Sequence, residues 1–129
     1  MDRENVLAAN AAYYRAFRMG DFPAMRALWA EEGVACIHPG WPALEGREVV
    51  LESYRRILAN PGQEPVVASA ESVLVTGDVA RVLCIETVGG ATLAATNFFT
   101  RDGEAWRMVH HQASPVAIPM EKPARGRLN

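Results

Sequence analysis

The sequence predicts an α+β domain: three helices, all in the first half of the chain, packed on a strongly curved antiparallel sheet that forms a cone. Two observations carry this prediction. Apolar residues recur at three- and four-residue steps up to Asn60, whereas from residue 66 the period falls to two. Turn signals at Gly77-Asp78, Gly89-Gly90 and Asp102-Gly103 then divide the second half into segments with the spacing of an antiparallel meander.

The first helix is expected over Val6 to Phe17. Val6, Ala9, Tyr13 and Phe17 form one apolar row, Leu7, Ala11 and Tyr14 adjoin it, and Gly20 ends the run. Asp21 can cap a second helix whose first turn accepts Pro23 and whose apolar residues Phe22, Met25, Leu28 and Trp29 repeat until Gly33. A third helix is expected from Arg47 to Asn60, with Val50, Tyr54 and Ile57 on one face and Pro61-Gly62 stopping it.

Val34 to His38 has the content of a short strand, and the Pro39-Gly40-Trp41-Pro42 that follows breaks any ladder. Four long strands follow at 66–76, 79–88, 91–101 and 104–114. Strands of that length imply a bent, twisted sheet. Helices close only one side of it, so the concave side should form a pocket and the apolar convex side should seek a second copy of the chain. The domain is expected to span 1–118. Pro119 and Pro123 make 119–129 read as an extended or disordered tail.

Composition narrows the function classes. With 129 residues, 50% of them hydrophobic, the chain has apolar surface for one core. Thirteen basic against 15 acidic side chains, a net charge of −2, create no positive field for nucleic acid or anionic lipid. No run approaches the roughly 18 apolar residues of a membrane-spanning helix. The polar N-terminus leads into a helical pattern rather than a signal region, and Cys36 and Cys84 sit in apolar strands, so a reduced, cytoplasmic protein is expected.

The order of elements, with Gly20-Asp21-Phe22-Pro23-Ala24-Met25, Cys36-Ile37-His38-Pro39-Gly40-Trp41 and Trp106-Arg107-Met108-Val109-His110, resembles the nuclear transport factor 2-like superfamily over about residues 3 to 118. The chain looks most like its SnoaL-like, polyketide-cyclase-like branch. Its last strands are also similar to the association domain of calcium/calmodulin-dependent protein kinase. The resemblance implies a curved sheet on three helices, a pocket, and a homodimer through the sheet. It does not imply one activity, because fold and function separate in such families. Asp21, Asp78 and Asp102 fall at turns or caps, and Thr87 and Asn97 stand where the kinase association domain has pocket arginines.

The residues that can carry chemistry are few. His38 ends the first strand, at a place where side chains line cavity mouths, and an imidazole exchanges protons near neutrality. His110 and His111 must face opposite sides of a regular strand. The resemblance places His110 in the pocket, with Trp106 and Gln112 in the same phase; a bulge would reset that phase. Glu86 is the one acid in Val82-Leu83-Cys84-Ile85-Glu86-Thr87-Val88, and it either shares a proton with His110 or His38 or lies at an exposed strand end. Tyr14, Trp41 and Asn97 complete the candidate ligand contacts, Trp41 as a lid and Asn97 through its amide.

The histidines lack the spacing of a zinc site, and neither a Gly-x-Ser-x-Gly elbow nor a phosphate-cradling glycine loop is present. The expectation is a cofactor-free pocket protein that binds a small organic molecule. Its chemistry, if any, would be acid–base isomerisation, cyclisation, dehydration or hydration at His38, His110 and Glu86. The alternative is a dimerisation or binding module without chemistry.

Overall fold

The computed structural model describes residues 1–118; the expected tail at 119–129 lies outside the described residues. Nine elements run in the order α1 (Asp2–Met19), α2 (Phe22–Leu28), β1 (Ala35–Ile37), β2 (Leu44–Glu45), α3 (Arg47–Leu58), β3 (Val66–Thr76), β4 (Val79–Val88), β5 (Ala91–Asp102) and β6 (Ala105–Pro115). Together they form an α+β structure of three helices on a curved, unclosed and mostly antiparallel sheet.

Local chemistry sets the helix ends. Gly20 takes a left-handed conformation (φ 63°), so its N–H reaches Phe17 O and the N–H of Asp21 reaches Ala16 O, closing α1. The Asp21 carboxylate then accepts the Ala24 N–H at 3.1 Å, and Pro23 occupies the first turn of α2. Helix α2 stops at Leu28 rather than running on to Gly33. Trp29 leaves it to form a parallel bridge with Met108, and the Ala30 N–H bonds Met108 O at 2.9 Å.

The sheet order is β2-β1-β6-β5-β4-β3. β3 to β6 are an antiparallel meander, as expected, and β2 is a two-residue addition too short to show a period. β1 departs from the expected pattern. It pairs in parallel with β6, setting Cys36 beside His111. Two bulges punctuate the ladder. One, between Ser69 and Ser72, carries Ala70 at φ 56°. In the other, Phe98 pairs with His110 but Phe99 pairs with Met108, which leaves Val109 as an extra residue in β6.

The core lies between the helices and the concave face. Trp29, Tyr13, Tyr54, Phe99, Met25 and Met108 are among its largest buried side chains. Helix α1 is held at its start by Arg101, whose guanidinium bonds both Asp2 oxygens at 2.9–3.0 Å, pairs with Asp78 at 3.0 Å and sits 4.5 Å above the Trp106 ring. Replacing Asp21 with Ala should cost about 1 kcal/mol of stability through the lost cap. Met25→Ala, which empties a fully buried position, should cost about 2–5 kcal/mol. Urea denaturation of the two variants checks that ranking.

Candidate acid–base site

A cavity of about 440 Å³ opens between α1, the loop after β1, the end of α3 and the concave face of the sheet. Phe17, Ile57, Val66, Val88, Leu93 and Trp41 form its apolar walls, and Tyr14, His38, Glu86 and His111 are its principal polar groups. Among the described residues, no lysine or arginine lines it.

Glu86 enters the cavity because β4 alternates strictly: Ala80, Val82, Cys84 and Glu86 are all buried on the inner face. Its Oε2 accepts a 2.6 Å hydrogen bond from the Tyr14 hydroxyl. Burial raises the Glu86 carboxyl above its ordinary value, and the Tyr14 bond partly offsets this. Of the two alternatives left open for Glu86, the exposed strand end is therefore not met; the residue is 4% exposed.

The bulge at Val109 decides which histidine joins it. Trp106 and Met108 face inward, and the extra residue then turns His111 and Ala113 inward in their place. The expected phase, with His110, Trp106 and Gln112 together in the pocket, is thus corrected. His110 lies on the convex face against the Phe98 ring, 6.0 Å between centroids. Gln112 is exposed there too, and Trp106 is buried under Arg101 towards the far end of the sheet.

His111 is buried, with Nδ1 2.6 Å from Asn97 Oδ1 and Nε2 3.9 Å from Glu86 Oε2. Burial, with smaller contributions from His38 and His110, holds its pKa at about 3. The 3.9 Å approach is therefore not an ion pair: low polarity drives the imidazole and the carboxyl alike towards their neutral forms. Asn97 is fully buried behind the cavity wall. Its amide donates to Asn10 Oδ1 at 2.8 Å and to the Tyr14 oxygen at 3.1 Å, so it contacts the site residues and not the cavity space expected for it.

His38 stands opposite, its ring centroid 6.5 Å from that of His111 and edge-on to Trp41 and Tyr54 at 4.8 and 4.9 Å. The Ser53 hydroxyl donates to Val50 O at 2.6 Å, so its oxygen is left to accept, and His38 Nε2, 2.9 Å away, must be the donor. Burial lowers the His38 pKa to about 4. Trp41 is 44% exposed in the loop at the mouth. Burial also raises the neighbouring Cys36 thiol to about 11, so it supplies no thiolate.

Asn10 and Ser53 are the site members that sequence reasoning missed, whereas His111 was the alternative that a bulge left open. Asn10 had a readable signal: it lies four residues from both Val6 and Tyr14 in the buried row of α1. Ser53 likewise sits three residues after Val50 on the inner face of α3.

Two of three comparisons relate this chain to known proteins. The model of the SnoaL-like domain matches residues 6–119. A candidate dehydratase of the NTF2-like family from Streptomyces avermitilis is 38% identical, with 91% of this chain and 97% of that one covered and a TM-score of 0.82. A candidate calcium/calmodulin-dependent protein kinase type II association domain from Thiobacillus denitrificans is 32% identical over 84% and 93% of the two chains, with a TM-score of 0.77. A cystatin-like fold protein from Burkholderia xenovorans, 22% identical over 90% and 92% at a TM-score of 0.77, shares the fold. No curated protein matches.

The two depressed histidines make stability fall with acid. Their folded pKa values, about 4 and about 3, lie below the unfolded value of about 6.5, so their contribution is full above that value. It is lost as pH falls towards 4 and then 3, by at most about 1.4 kcal/mol per pH unit for each. Glu86, raised in the fold, acts in the opposite sense, and two histidines should outweigh one carboxyl. Urea midpoints across this range should decline with falling pH, and less steeply in His38→Gln.

Proposed function

The chain belongs to the SnoaL-like domain family, and from that membership we propose that it binds a small uncharged organic molecule and catalyses cofactor-free proton transfer on it, dehydration foremost. The observation that carries this reading is the meeting of Glu86 and His111 in one apolar cavity, with burial favouring the neutral form of each. A neutral imidazole is a base and a protonated carboxyl an acid, the two groups an elimination of water requires.

In the proposed reaction His111 removes a proton from carbon next to a carbonyl, and that electron pair forms the new double bond. The neighbouring carbon–oxygen bond breaks, and Glu86 protonates the departing hydroxyl to give water. Transfer from His111 to Glu86 restores the starting forms. His38 and Tyr14 orient the ligand's polar groups, and Trp41 covers it. Likeness to the candidate dehydratase supports the choice of dehydration over isomerisation. The absence of a cation from the described lining argues for uncharged ligands.

A panel of neutral β-hydroxy ketones and matching carboxylates, screened by thermal shift and then for loss of water by absorbance, tests the proposal. Neutral compounds should bind and turn over, and Glu86→Gln or His111→Gln should each slow turnover by about 100-fold or more. Carboxylate-selective binding, or rates unchanged in both variants, would sink it.

A second reading, assembly of two copies through the convex face, is favoured by Val67, Leu74, Val79 and Leu83, which are 40–51% exposed there, and by likeness to the candidate association domain. Sedimentation should give a dimer that Leu83→Arg converts to monomer. A monomeric parent protein at micromolar concentration would reject it.

A further inference from the structure

We infer that Asn97, oriented by Tyr14 and Asn10, is a positioning residue that fixes His111 as the tautomer protonated on Nδ1, leaving the Nε2 lone pair as the base of the cavity. The proposed chemistry needs a lone pair on the side facing Glu86, so the inference deepens that reading, although the tautomer itself is a property of the ligand-free protein.

The direction of each hydrogen bond follows from the one before it. Glu86 Oε2 accepts from the Tyr14 hydroxyl at 2.6 Å, so the proton of the neutral carboxyl is carried on Oε1, and a phenol has one proton to donate. The Tyr14 oxygen can therefore only accept in its 3.1 Å contact with Asn97, which must turn its NH₂ that way. The second proton of that NH₂ meets Asn10 Oδ1 at 2.8 Å, so both amide donors are committed. Asn97 Oδ1 is then the atom 2.6 Å from His111 Nδ1, and a carbonyl oxygen only accepts. The proton is on Nδ1. In a neutral imidazole Nε2 is then bare, and it is this atom that stands 3.9 Å from Glu86 Oε2.

The reverse setting has a visible penalty. Rotating the Asn97 amide by half a turn would bring its carbonyl against Asn10 Oδ1, two acceptors in a fully buried place, and would draw the Tyr14 proton away from Glu86. Asn10, 1% exposed on α1, thus acts at one remove from the cavity. The carboxyl sets the tautomer of the histidine beside it by a path through Tyr14 and Asn97.

Long-range proton–nitrogen correlation spectra of the ligand-free protein at neutral pH read the tautomer directly. The parent protein should show His111 protonated on Nδ1 and bare on Nε2; the opposite pattern overturns the inference. Asn97→Leu should lose that preference, giving a mixed or reversed pattern. Asn97→Asp, which keeps the acceptor for Nδ1 should the leucine variant not fold, should keep Nδ1 protonated. An unchanged spectrum in Asn97→Leu would also overturn the proposal. Because no substrate is present, failure to find turnover would reject the reaction proposed above and leave this result standing.

Discussion

The candidate site depends on one extra residue in the last strand. Without the bulge at Val109, strand alternation would carry His110 inward beside Met108 and turn His111 outward. With it, Trp106 and Met108 can fill the core at one end of β6 while His111 and Ala113 serve the cavity at the other. A single strand thereby meets two demands of different phase. The convex face absorbs the difference, with His110 against Phe98.

Around His111 the polar groups form a circuit that is nearly closed. Asn10, Asn97, Tyr14, Glu86 and His111 come from α1, β4, β5 and β6, and each hydrogen bond spends a donor or acceptor that would otherwise be buried without a partner. The gap at 3.9 Å between Glu86 and His111 is where this economy stops.

Period and punctuation made most of the fold readable. The switch from helical to alternating spacing near residue 66 and the glycine turns located β3 to β6 within a residue or two. What escaped depended on contacts between distant segments. Nothing local marks Trp29 as leaving its helix, because the cause is Met108, 79 positions later in the chain. Strand parity named the right question at His110 and His111 but could not answer it, since a bulge belongs to a pair of strands. Glu86 was singled out by the cost of burying a charge, and that argument needs no partner to be known. Asn97 drew notice as a polar residue in an apolar strand, yet its task lies behind the cavity wall, on the side of α1.

The parallel pairing of β1 with β6 has a consequence in time. Residues 35–37 find their neighbours at 110–112, so the strand that leads to His38 has no central partner until nearly all the described chain has left the ribosome. The meander of β3, β4 and β5 can form from neighbours alone. Cys36, His38 and the Trp41 loop must wait, and only the arrival of β6 brings the two facing imidazoles together. Completion of the cavity therefore depends on β6, and chains shortened before it should hold Tyr14 and Glu86 without ever holding a site.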